Sequence, residues 1–106
     1  MRRVYIAGPY TQGDTAINVR TALGAAQELL LAGWAPYVPH LTHFWHLVYP
    51  GPYEHWAALG IVWLEVADAL VRLPGESPGA DREVAFARDH GIPVYDSVAA
   101  LILGSP

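Results

Sequence analysis

Four short runs constrain this chain more than any other feature: "RVYIAG" (3–8), "APYVP" (35–39), "DALVRL" (68–73) and "IPVYD" (92–96). Each is largely apolar, ends beside Gly, Pro or Asp, and has the length of a buried strand. Stretches with helical spacing lie between them. Residues 13–34 carry Ile17, Leu23, Ala26, Leu30 and Leu31 near that spacing, with Asp14 or Thr15 as the cap and Gly33 as the stop. Residues 53–67 and 79–91 predict two more helices, and 97–103 a short closing helix capped by Ser97. Strands alternating with helices imply a parallel sheet covered on both faces. Residues 40–56, "HLTHFWHLVYPGPYEHW", break the rhythm. They hold four of the five histidines plus Pro50, Gly51 and Pro52, and predict a long functional loop with one helical turn.

Composition narrows what such a fold can do. The 106 residues suffice for one compact domain, 1–106, around one core. With 53% hydrophobic and only 15% charged residues, the expected state is a homodimer or homotetramer that hides apolar surface. Net charge is −4 and every basic residue is Arg, which disfavours a nucleic-acid polymer as partner. The absence of Cys excludes a disulfide framework and a thiolate metal site. The N-terminal apolar run stops at Gly8-Pro9, too short for a signal peptide or a membrane span. A soluble, cytoplasmic protein with no membrane partner is expected.

Ligands of parallel sheets bind at the carboxyl ends of the strands, where strand order reverses. Two segments leave strand ends there: "AGPYTQGD" (7–14) and "LPGESPGADRE" (73–83). In the second, Ser77 can cap a helix, Pro78 suits its first position and Gly79 admits a ligand close to the backbone. Free N–H groups and the positive dipole end would favour an anion such as phosphate. Glu83 projects back towards that end, whose dipole is expected to keep its carboxylate ionised, with Gly79, Ala80 and Ala87 as small helical neighbours. Acids near a helix start also stabilise it by about 0.3–1 kcal/mol, and Asp81 fits that purely structural role. Glu83 is balanced between the two roles until its loop context is considered. In the first segment, Gly8 and Pro9 make a turn where the backbone can approach a ligand, and Tyr10 follows. Tyr5 either packs in the core or reaches the strand end to orient a carboxylate.

The histidines admit two readings. His40, His43 and His46 are spaced by three, which on a helix makes a metal site conceivable. Only Glu54 supplies a nearby carboxylate, so the favoured reading has His43 and His46 shaping a substrate pocket and no metal. Trp45, Tyr49, Tyr53 and Trp56 can stack on a flat base or pack a subunit contact.

"YIAGPYTQG", "GWAPYVPHLTHFWH", "PYEHW" and "ADALVRLPGESPGADREVAFARDHGIPVY" together resemble the nucleoside 2-deoxyribosyltransferase-like superfamily, above all its small bacterial and phage members, over nearly the whole chain. The resemblance implies an α/β fold, a flavodoxin-like or Rossmann-like three-layer sandwich with a parallel sheet of four to five strands. It implies cleavage or transfer of the N-glycosidic bond of a nucleoside or nucleoside 5′-monophosphate, with no cofactor. Glu83 falls on the nucleophile, Tyr5 on the tyrosine that orients it, and Gly8 on the glycine of the first loop. Ser77 and Gly79 fall on the loop that receives the 5′-phosphate in nucleotide-using members.

Two positions depart from the pattern. The Asp that helps protonate the leaving base would fall at Gly60, where no carboxylate stands. His43, His46 or His55 is a substitute acid. The first loop reads Tyr10-Thr11-Gln12 where a phosphate-holding Arg can occur, leaving Arg72 or Arg82 as helpers. A glycosidic-bond enzyme is therefore the leading expectation. The rivals are a nucleotide-binding module without catalysis and a metal-dependent hydrolase built on the histidines.

Overall fold

The computed structural model describes residues 1–104. Strands β1 (Arg3–Ala7), β2 (Ala35–Tyr37), β3 (Ala69–Arg72) and β4 (Val94–Tyr95) form one all-parallel sheet in the order β2-β1-β3-β4. Helices α1 (Thr15–Leu31), α2 (Thr42–Val48), α3 (Tyr53–Leu64), α4 (Pro78–Asp89) and α5 (Val98–Gly104) complete the fold. This is the α/β sandwich of flavodoxin-like type that the alternating pattern implies, with four strands.

Strand alternation divides β1 between two cores. Val4 and Ile6 pack with Ala22, Ala26 and Leu29 of α1 and Leu101 of α5. Tyr5 and Ala7 face the other way, packing with Leu64 of α3 and Ala80 and Ala87 of α4. Parallel register sets Tyr5 beside Leu70 and Ala7 beside Arg72. The chain leaves β1 towards β2 on one side and returns to β3 on the other. The carboxyl ends of β1 and β3 therefore flank the reversal point, where the two expected segments emerge.

Local signals act as the residue types dictate. Asp14 accepts a hydrogen bond from the Ile17 N–H at 3.0 Å and caps α1, and Thr15 is already helical. Gly33, with φ of 93°, follows the cap residue Ala32, and the Trp34 N–H reaches the Leu29 carbonyl at 2.9 Å. Ser77 and Ser97 accept from Ala80 and Ala100 and cap α4 and α5.

Residues 40–56 differ from the expected loop. Pro39–Leu41 makes a 3-10 turn and α2 follows it for seven residues. The sequence hides this helix because "THFWHLV" is rich in β-branched and aromatic residues, and Leu41, its cap, makes no side-chain cap bond. Phe44, Trp45, Leu47 and Val48 on α2, and Val62 and Trp63 on α3, remain exposed. No helix among the described residues is long and apolar enough to cross a membrane.

Candidate active site

One cavity of about 640 Å³ opens at the reversal point, within the size range of small-molecule sites. Its floor is Tyr5, Gly8 and Glu83; one wall is Ser77, Gly79 and Arg82 at the start of α4. The opposite wall comes from the 40–56 segment and α3, with His43, His46, Tyr53 and Trp56. Tyr10 also lines it. Pro9 does not. Its carbonyl instead accepts a hydrogen bond from His40 Nε2 at 2.9 Å, which ties the first loop to the end of β2.

Three residues distant in sequence meet at the carboxylate on this floor. Tyr5, fully buried, donates its hydroxyl to Glu83 Oε2. Gly60 on α3 closes the triangle: a Cβ there would lie 2.7 Å from Tyr5 Oη and 3.6 Å from Glu83 Oε2. Position 60 thus faces the carboxylate, and its lack of a side chain lets the Tyr5 hydroxyl stand against α3. Stacking of Tyr5 on Tyr37 (5.5 Å) and of Tyr37 on Trp63 (5.7 Å) braces the phenol.

Electrostatics on the floor correct one expectation. The dipole of α4 was expected to favour the ionised carboxylate. Burial instead pushes the Glu83 carboxyl up to about 7, against the Tyr5 hydrogen bond and the Arg82 and Arg72 charges that pull it down. Glu83 is the sixth residue of α4, beyond the first turn where dipole and free N–H groups act most strongly. Burial, then the Glu83 charge, raise the Tyr5 phenol far above its ordinary range, so it stays a donor.

The start of α4 offers fewer anion contacts than its sequence suggests. Pro78 has no N–H, and the Ala80 N–H is taken by Ser77 Oγ at 3.1 Å. The Gly79 N–H and the Ser77 hydroxyl proton remain. A Cβ at Gly79 would meet the Tyr53 hydroxyl at 2.6 Å, so glycine here admits Tyr53 to the helix start. Arg82 donates to that hydroxyl at 2.8 Å and is the cation of the wall. Arg72 is no phosphate helper. It does not line the cavity, and its guanidinium donates to the Leu73 and Gly75 carbonyls and pairs with exposed Asp81 at 3.0 Å. Arg72 holds the turn after β3, and Asp81 has the structural role expected of it.

The three close-spaced histidines diverge. His40 is buried; burial lowers its pKa, and its Nε2 hydrogen goes to Pro9. His43 Nδ1 shares a 2.8 Å hydrogen bond with the Tyr10 hydroxyl. His46 Nδ1 accepts from Trp56 Nε1 at 3.1 Å and from the Gly51 N–H at 3.2 Å. Among the described residues, no group of three His, Cys, Asp or Glu side chains is placed to hold a metal ion. Sequence reasoning missed His40 as an anchor and the Trp56–His46 pair; of the two arginines it offered as helpers, Arg82 is the one on the wall. The aromatic-histidine density of 40–56 was the available signal for the last.

Fold and cavity define an α/β domain with a largely buried carboxylate in a cavity at the reversal point of its sheet. The chain belongs to the family described as a domain of unknown function (DUF7768), which matches residues 2–97. No curated protein matches it. Among solved structures, it is similar to a 2-deoxyribosyltransferase from the psychrotolerant bacterium Bacillus psychrosaccharolyticus, with a TM-score of 0.64 and 20% identity. The similarity covers 87% of this chain and 69% of that one, and it is one of fold.

Proposed function

We propose that this protein cleaves or transfers the N-glycosidic bond of a nucleoside or nucleoside 5′-monophosphate, with Glu83 as nucleophile and Tyr5 positioning it. The observation that carries this reading is the buried Tyr5–Glu83 hydrogen bond on the floor of a cavity large enough for such a ligand. The shared fold with a 2-deoxyribosyltransferase supports it. In its ionised form Glu83 attacks the anomeric carbon, and the bond to the base breaks with its electron pair leaving on the base nitrogen. Tyr5 fixes which carboxylate oxygen is engaged and leaves the other to react. Water then releases the sugar, or a second base accepts it. Tyr53 and Trp56 offer flat surfaces for the base, and Ser77, Gly79 and Arg82 offer donors to the sugar or its phosphate. The apolar side chains exposed on α2 and α3 support a homodimer or homotetramer.

Gly60 favours a second reading, a nucleotide-binding module without turnover, because no carboxylate at position 60 can protonate the base. One experiment separates the two. Ribo- and deoxyribonucleosides and their 5′-monophosphates are incubated with the protein and with Glu83→Gln, and free base is measured by chromatography. Release by the parent but not the variant is the expected result. Thermal stabilisation by the same ligands without any release would establish the binding module.

A further inference from the structure

Position 60 offers the departing base no acid, and His55 of α3 does not line the cavity, so stabilisation of the base's negative charge has to come from another lining residue. Three histidines line the cavity, and their ring nitrogens are committed differently. His40 spends its only hydrogen on the Pro9 carbonyl, and its Nδ1 is buried without a partner. His43 shares a hydrogen bond with a hydroxyl that can donate or accept, so its tautomer is not dictated. His46 is different. Both neighbours of its Nδ1, the Trp56 indole N–H and the Gly51 backbone N–H, can only donate. Nδ1 must therefore accept, and the ring hydrogen sits on Nε2. That Nε2–H has no partner among the described residues and is not buried, on a side chain that lines the cavity.

We infer that His46 is the donor to the leaving base, giving a hydrogen bond from neutral Nε2–H to the base nitrogen or carbonyl that gains charge. This rests on the glycosidic reading of the same cavity. The α4 wall, with its hydroxyl, N–H and guanidinium, suits the sugar side of the ligand. The opposite wall, with Trp56 held edge-on to His46 at 5.9 Å, suits a flat base. As the Glu83 oxygen bonds to the anomeric carbon, the electron pair of the broken bond moves onto the base. A neutral imidazole N–H stabilises such charge without giving up its proton. Water supplies the proton that the base finally carries, and the hydroxide left behind takes the sugar from Glu83. Trp56 is then a positioning residue that fixes the His46 tautomer.

The test compares guanosine and its 2′-deoxy form, each with its N7-methylated counterpart. The methylated base is already cationic and leaves as a neutral molecule, so it needs no donor. His46→Phe is expected to slow release of the ordinary base on the order of 10²-fold. The methylated nucleoside should keep a far larger share of its rate, whereas Glu83→Gln should stop both. Equal slowing of a nucleoside and its methylated form by a folded His46→Phe would overturn the inference and leave the glycosidic reading standing. No base release from any of these nucleosides by the parent would overturn both. A measurement on the parent alone makes a second check: ¹⁵N spectra should show the His46 Nδ1 unprotonated and Nε2 protonated, and a proton on Nδ1 in the neutral ring would contradict the assignment.

Discussion

The two faces of β1 solve different problems with alternate residues of one strand. Val4 and Ile6 enter a core with α1 and α5 whose members are all apolar. Tyr5 and Ala7 enter the core with α3 and α4, where small residues, Gly60 and Ala80 among them, leave room and the Tyr5 hydroxyl meets a carboxylate. The first face lowers the free energy of folding by excluding water. The second places a titratable group where water is scarce and gives up stability to do so. On the second face side chains are paired for position, against the cost of burying a charge, and the proposed chemistry sits there.

Substitutions on the two faces should therefore separate activity from stability. Glu83→Gln is expected to lower base release on the order of 10³-fold or more, read by chromatography, with the fold intact because the amide oxygen still accepts from Tyr5. Ile6→Ala on the other face should do the reverse. It should cost about 2–5 kcal/mol in denaturant titration while base release per folded molecule stays unchanged.

The pH dependence of stability follows from the same carboxyl. Its pKa is raised from 4.5 to about 7 on folding, so the folded state holds a proton that the unfolded state releases across that window. Stability contributed by the protonated form is present below pH 4.5 and is lost as pH rises to about 7. At pH 8 Glu83→Gln should exceed the parent in stability by about 3 kcal/mol, and the difference should vanish near pH 4. Equal denaturation midpoints for the two proteins at both pH values would remove the claim that burial governs Glu83.

Smaller effects probe the triangle itself. Gly60→Ala puts a methyl 2.7 Å from a phenol oxygen that the buried ring cannot move cheaply. A loss of about 1–3 kcal/mol is expected, together with separation of Tyr5 from Glu83 in a crystal structure of the variant. Tyr5→Phe removes one of the interactions that lower the Glu83 pKa. The rising limb of its pH–rate profile should therefore move to higher pH, and an unmoved limb would contradict the pairing.

Much of the fold was legible because local chemistry decides it. Gly33, Asp14 and Ser77 act at element ends as their residue types dictate, and four apolar runs become four parallel strands. The segment 40–56 was not legible as a helix, since its aromatic residues have modest helical propensity and its order comes from the His46–Trp56 and His40–Pro9 bonds. In the site, the spacing of Ser77, Gly79 and Glu83 marked the loop. The convergence of Tyr5, Gly60 and Glu83 came through family resemblance, because residues 78 positions apart carry no local signal of contact. The charge state of Glu83 was misread because helix position is visible in a sequence and depth of burial is not. Arg72 likewise has the residue type of a phosphate helper, and only the turn after β3 shows what it holds.

The proposed chemistry requires Glu83 to form a bond to a sugar. Its most direct test is intact-protein mass spectrometry after incubation with a nucleoside bearing fluorine at the 2′ position, which slows release of the glycosyl-enzyme. The expected result is a mass gain of one fluorosugar, mapped by peptide fragmentation to Glu83 and absent in Glu83→Gln. Base release from that nucleoside with an unchanged protein mass, or a sugar mapped to another residue, would contradict it.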